Sequence, residues 1–275
     1  MLKLNESSKT VKLNDLQLRE ICPTIFQERP SSETSKHYTH IPTYKVINDM
    51  RALGWDVIDA QQVSARTKGT IGFQKHLVTF QNDDVVIDGD DGDTVFPRVL
   101  LTNSHDGKNA FKFQAGLFRL ICSNGLVISD HNFSKLKIRH MGYDFSELKT
   151  TINELVSALP LTVESMNKFK QTEIDEAGKI DFAVKAIGLR FGKDNRLEID
   201  YEQLIKPTRK EDEGDDVWSI YNIVQEKLID GDFEYVNGTK LRKARKIKNF
   251  KQDLELNQKL FDLAGQYVDD NAVIA

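Results

Sequence analysis

Apolar positions along this chain recur at two different periods, and the change between them, near residue 145, divides it. The first 35 residues are polar and interrupted by Pro23 and Pro30, a pattern that predicts an arm with little regular structure of its own. From Tyr44 the spacing becomes helical: Tyr44, Val46, Ile47, Met50 and Leu53 share one face, and Gly54 supplies a stop. Trp55-Asp56-Val57-Ile58, then residues 61–66 and 75–80, suit strands. Asp83 to Asp93 sets acids and glycines around a small apolar core, as a strand entering an exposed turn would. Longer strands are predicted over 96–102 and 110–122, on either side of the turn Asn103-Ser104-His105-Asp106-Gly107. Asn124-Gly125 is a strong short-range hairpin signal.

In the second half, apolar residues recur at three and four from Phe145 to Leu159 and from Thr162 to Lys170. Phe182, Val184, Ile187, Leu189 and Phe191 continue the pattern up to Gly192, and Tyr201, Leu204 and Ile205 up to Pro207. The acidic run 211–216 leads into a helix at Val217, with Asp215 or Asp216 as its N-cap and Gly231 as its stop. A last helix spans about Lys248 to Tyr267. The fold class expected is α+β: a mostly antiparallel sheet in the N-terminal half, packed with helices mainly from the C-terminal half. The organisation expected is an arm (1–35), a single domain (36–267, sheet-rich to 145 and helix-rich from 146) and a short tail (268–275).

Composition narrows the picture. A chain of 275 residues with 39% apolar positions can bury a substantial core. Two cysteines cannot make a disulfide scaffold, which suits a reducing cytoplasm. The N-terminal segment lacks the apolar stretch of a secretory signal, and no window approaches the roughly 18 apolar residues of a membrane span. The expectation is a cytoplasmic protein with no membrane partner. A net charge of −4 excludes a generally basic coat, so contact with phosphate requires a local patch.

Most enzyme signatures are missing. There is neither a Walker A loop nor a Gly-x-Gly-x-x-Gly after a strand. His37 and His40 lie three apart and His105 sits in a turn, but they lack the paired ligand spacing of a zinc site and read as surface or turn histidines. The acids 88–93 do not follow an EF-hand loop. Cys122, with His105 or His140 as a base, would be a nucleophile only without the family-type surroundings such residues have; a buried structural thiol suits it better. No catalytic residue, metal ligand or cofactor is therefore expected.

Basic patterning says more. Between Gly238 and Gln252 stand seven cations and no acid: Lys240, Arg242, Lys243, Arg245, Lys246, Lys248 and Lys251. Such a block creates a local positive field able to neutralise several phosphates, or it is a solvated helix face balancing 211–216. Lys135, Lys137, Arg139 and His140 form a smaller set. Phe111, Phe113 and Tyr235 are candidates for stacking on unpaired bases.

Several segments together resemble the signature of an uncharacterised phage- and plasmid-encoded family, a domain of unknown function. They are Asn103-Ser104-His105-Asp106-Gly107, Ala115 to Leu126 with Arg119, Cys122, Asn124 and Gly125, and Trp218-x-x-x-Asn222-x-x-Gln225-Glu226-x-x-x-x-Gly231. Phe73-x-x-His76 and Arg139-His140 also fit, so the likeness runs from about residue 36 to 267. It implies no catalytic residue. Arg209-Lys210-Glu211-Asp212 departs from the family pattern by an Arg one place early and an inserted Lys.

The expectation that follows is a non-catalytic, DNA-associated protein of a mobile element, acting in replication, recombination or DNA protection. Single strands are one version of the substrate, and a homo-oligomer one version of the assembly. Two alternatives belong to other classes: a protein that binds a host factor through its acidic runs, and a metal-dependent nuclease whose acids only the fold brings together.

Overall fold

The computed structural model describes residues 11–65, 67–88, 94–109, 111–119, 125–126 and 144–274. The chain divides into two compact units, Met1–Gly125 with Ser129–Ala158, and Leu126–Ile128 with Leu159–Ala275. The architecture is α+β, as the two periods predict: an antiparallel sheet in the N-terminal half and most of the helix in the C-terminal half.

The first unit begins with a departure from expectation. The polar arm contains a helix, α1 (Asp15–Ile21), opened by a reciprocal capping box: Asn14 Oδ1 accepts from the Gln17 N–H, and Gln17 Oε1 from the Asn14 N–H, both at 3.0 Å. A single 3-10 turn follows at Pro23–Phe26. Among the described residues of this region, three apolar side chains, Leu18, Cys22 and Ile25, reach the core, and each is fully buried. That sparse pattern reads as polar in a window average. The Leu13 N–H donates to the Val57 carbonyl, and Arg51 pairs with Asp15 at 2.7 Å. The segment is thereby fastened down.

Helix α2 (Thr43–Ala52) buries Val46, Ile47 and Met50 of the predicted face together with Thr43, while Tyr44 and Leu53 are half-buried. The strands β1 (Asp56–Gln62), β2 (His76–Gln81), β3 (Ile87–Asp88), β4 (Thr94–Asn103), β5 (Lys112–Arg119) and β6 (Gly125–Leu126) lie in the order β1-β2-β4-β5-β6, with β3 on β4. Every residue of β2 is buried, as a central strand covered on both faces requires. Its register places Gln62, His76 and Asn103 in one row across three strands. Directly paired residues share a face, so that row sets polar side chains side by side at one end of the sheet.

Helix α3 (Phe145–Gln171) is continuous where the pattern predicted two segments, and it runs through Pro160 with the loss of one backbone donor. In the second unit follow α4 (Glu176–Phe191), β7 (Leu197–Glu198), α5 (Glu202–Ile205), α6 (Val217–Asp230), β8 (Glu234–Asn237), β9 (Lys240–Lys243) and α7 (Phe250–Ile274). Helix α6 is its axis: every residue except Glu226 and Asp230 is buried. A helix apolar on all sides belongs inside a bundle, and α4, α5 and α7 pack against it. Asp216 is its N-cap, accepting from the Ser219 N–H at 2.9 Å. Strands β7, β8 and β9 make a small antiparallel sheet in that order. Among the described residues, no helix is long and apolar enough to cross a membrane.

Candidate functional site

The basic block is a hairpin and an extended run, where the pattern had suggested a helix face. Strands β8 and β9 pair Glu234 with Lys243 through Asn237 with Lys240, around the turn Gly238-Thr239. All four residues of β9 are exposed, including Leu241. Residues 244–249 continue without regular structure to α7, and Arg245, Lys246 and Lys248 are exposed there. Two of the cations are paired: Lys243 with Asp232 at 3.2 Å, and Lys246 with Asp230 at 2.7 Å. Lys251 approaches Glu255 at 3.6 Å. Lys240, Arg242, Arg245 and Lys248 have no acidic partner among the described residues.

The run is held rigidly from beneath. The Ala244 N–H donates to the Phe233 carbonyl and the Ile247 N–H to the Ile229 carbonyl, both at 2.9 Å. Gly231, the left-handed residue that ends α6 (φ 76°), allows this approach; a Cβ there would lie 2.5 Å from the backbone carbon of Arg245. Arg190 completes the brace, donating from one guanidinium nitrogen to the Leu228 carbonyl and from another to the Arg245 carbonyl. Its charge also lies over the rings of Phe191 and Phe233, at 5.0 and 5.5 Å.

Other predicted site residues are placed differently. Phe111 and Phe113 are fully buried and meet edge to face in the first unit, which removes them as stacking platforms for bases. Tyr235 is half-buried against Phe191 and Phe233. Lys137, Arg139, Cys122 and Asn124 lie outside the described residues. The acidic run 211–216 is largely occupied internally: Asp212 is buried beside Arg209, Asp215 pairs with Lys179 at 2.6 Å, and Asp216 caps α6. Glu213 remains exposed.

Of the histidines read as surface or turn residues, His37 is exposed as read, whereas His40 and His105 are drawn inward to meet His76 of β2. His76 and His105 are fully buried and His40 is half-buried. The ring centroids of His40 and His76 lie 4.7 and 5.1 Å from that of His105. Hydrogen-bond partners fix the tautomers. His76 Nδ1 faces the Gln74 carbonyl at 3.0 Å and must donate, leaving Nε2 as the acceptor for the Thr43 hydroxyl at 2.8 Å. Thr43 Oγ1 accepts in turn from Asn103 Nδ2 at 3.0 Å and faces His105 Nε2 at 3.4 Å. His40 Nε2 donates to the Gln27 carbonyl at 3.2 Å. The Nδ1 atoms of His40 and His105 are buried without a hydrogen bond; the backbone of Thr24 approaches the His105 ring but does not complete one.

Burial keeps these rings neutral. Desolvation lowers the pKa of His76 to about 4 and that of His105 to about 3, with the neighbouring histidines adding to the latter, and it lowers His40 as well. Around them, Tyr38 Oη donates to the Ser104 carbonyl and Ser104 Oγ to Asp106 Oδ1. The result is a polar knot that ties the N-terminal segment and α2 to the ends of β2 and β4. Among the described residues, no group of three or more His, Cys, Asp or Glu is arranged to hold a metal ion.

Residues 30–261 match the sequence profile of the family described as Domain of unknown function (DUF932). The chain belongs to that family. It is 27% identical over 249 residues to the UPF0380 protein YafZ of Escherichia coli (strain K12), covering 90% of this chain and 89% of that protein. It is 26% identical to the UPF0380 protein YfjQ of the same strain over the same shares. No solved structure matches the chain.

Among the described residues of this DUF932 chain, the signature side chains gather mainly in two networks. Asn103, His105, Asp106 and His76 belong to the knot just described. In the second unit, Trp218 stacks on Tyr221, with centroids 5.7 Å apart, and Asn222 donates to the Trp218 carbonyl. Gln225 donates to Asn257 of α7, and Glu226 pairs with Arg209, the arginine displaced by one place from the family pattern. Sequence reasoning missed the convergence of the histidines. The available signal was His76 at the head of the strand whose next residues are Leu77 and Val78.

Proposed function

We propose that this protein binds the phosphate backbone of a nucleic acid, DNA of a phage or other mobile element in the reading its signature suggests, without carrying out chemistry on it. The observation that supports this most is the rigid basic hairpin: Lys240, Arg242, Arg245 and Lys248 are exposed on a run pinned by two backbone hydrogen bonds and lack acidic partners among the described residues. Four such cations on an acidic chain form a local patch of the kind that net charge hides. Tyr235 of β8 is half-buried against Phe191 and Phe233, so the exposed cations carry the contact, which is to phosphate and independent of sequence.

The test is fluorescence anisotropy with labelled single-stranded and duplex oligonucleotides across a salt series. Neutralising four phosphates of a single strand gives a slope of log K against log salt of about −3. A flat salt dependence, or no binding at low salt, refutes the proposal. Within one of the two acidic runs of the host-factor alternative, the acids at 212, 215 and 216 are engaged within the fold, which favours the nucleic-acid reading over it.

A further inference from the structure

We propose that the cleft beside the hairpin seats a terminal phosphomonoester, so that the protein recognises a phosphorylated nucleic-acid end as well as a backbone. This rests on the nucleic-acid reading above and assigns a second, more selective contact to the same basic face.

The cleft has a volume of about 400 Å³ and takes its cations from three elements. Arg190 comes from α4, Arg245, Lys246 and Lys248 from the extended run, and Lys259 from α7. Its acid is Glu255, which lies 3.6 Å from Lys251, and Lys246 is already matched by Asp230. Positive charge therefore remains in excess inside a concave site. Concavity matters, because cations converging from several sides can contact several oxygens of one group, whereas a flat patch contacts one phosphate per side chain.

Arg190 gives the site its fixed point. Two backbone carbonyls hold the guanidinium in place and use two of its five N–H groups; the other three have no partner among the described residues. Burial disfavours its charge, lowering its pKa, so a counter-anion in the cleft would restore what solvent does not provide. A fixed planar fork facing a cleft suits bidentate recognition of a phosphate. A phosphomonoester fits better than an internal diester. It carries about −1.5 to −2 charges at neutral pH and presents three terminal oxygens. A diester carries one charge and must continue out of the cleft in both directions.

The experiment compares one labelled oligonucleotide with a 5′-phosphate, a 3′-phosphate or hydroxyls at both ends, by anisotropy at moderate salt. A phosphate at one end should tighten binding about tenfold, equivalent to about 1.4 kcal/mol. Lys259→Ala removes a cleft cation outside the hairpin, and should abolish that preference while leaving the affinity for the hydroxyl-ended strand unchanged. Arg190→Lys, checked for folding by circular dichroism, should reduce the preference through loss of the fork. Equal binding of all three strands overturns the seat and leaves backbone binding standing. If no strand binds, the backbone reading fails, and inorganic phosphate decides the seat separately. Saturable shifts of the Arg190 and Lys259 resonances in NMR support it, and their absence overturns it.

Discussion

The buried histidine knot of the first unit and the basic hairpin of the second handle ionisable side chains in opposite ways. In the knot, three imidazoles are kept neutral by burial and locked by Thr43, Asn103 and main-chain carbonyls. In the hairpin, cations stay in water on a frame made rigid by its backbone. The first arrangement contributes stability and loses it if a proton arrives. The second contributes little to stability and is available to an anion. Signature residues such as His105 and Asn222 thus sit in interior networks, where they hold the fold together.

Acid should break the comparison most strongly. His76 and His105 have folded pKa values below the unfolded value of about 6.5, so the unfolded chain binds more protons in between. Their contribution is complete above pH 6.5 and is lost as pH falls toward 4. The slope is about 1.4 kcal/mol per pH unit for each ring, so the two together cost on the order of 5 kcal/mol between pH 6.5 and 4.5. Asp253 of the second unit runs the other way: burial raises its pKa to about 6, so it favours the folded state as pH falls through that value. Amide exchange at pH 5 should therefore show β2 and β4 losing protection well before α6. Equal loss in both units would contradict the knot's neutral state.

A smaller effect should come from Thr43→Val. The change keeps the shape and removes the hydroxyl that joins His76 to Asn103, leaving a buried acceptor and a buried donor unsatisfied. A loss of about 2–4 kcal/mol is expected in urea denaturation, with the slope of the transition unchanged.

Much of the fold was legible because each periodic segment is long enough to show its period. Most of the buried face of α2, the start of α6, the strands β2, β4 and β5, and Gly231 as a stop all follow from spacing and capping residues. Helix α1 was not legible, since Leu18, Cys22 and Ile25 are too few to register as a period, although the Asn14–Gln17 box was present in the sequence. The knot was hidden for another reason: the register of β2 with β4 brings His76 near His105, and His40 arrives from the segment before α2, which no local window contains. The basic block was legible as charge, but its shape was not. Asn237-Gly238, a hairpin signal of the same kind as Asn124-Gly125, stood at its head and marks the turn into β9.

Gly231→Ala sharpens the comparison from the other side. A Cβ would force a left-handed residue to carry a side chain and would press on the backbone of residues 244 and 245. About 2 kcal/mol of destabilisation is expected, combining strain and overpacking. Faster amide exchange should concentrate at Ala244 and Ile247, whose N–H groups pin the run. Nucleic-acid affinity should fall with it, because a loosened hairpin must be ordered on binding.

The smallest effect on stability should accompany the clearest effect on binding. Lys240→Ala with Arg242→Ala removes two exposed cations from β9 that have no acidic partner among the described residues, so the denaturation midpoint should move by less than about 0.5 kcal/mol. Binding should weaken alike for every sequence tested, and the salt slope should shrink by about 1.4, the amount expected for two phosphates on a single strand. His105→Asn provides the reverse control: it disturbs the knot, lowers stability and its pH dependence, and leaves the salt slope as it was. Should the hairpin variant keep its full slope while the knot variant loses it, the anion contact would lie in the first unit, and the division of labour drawn here would be inverted.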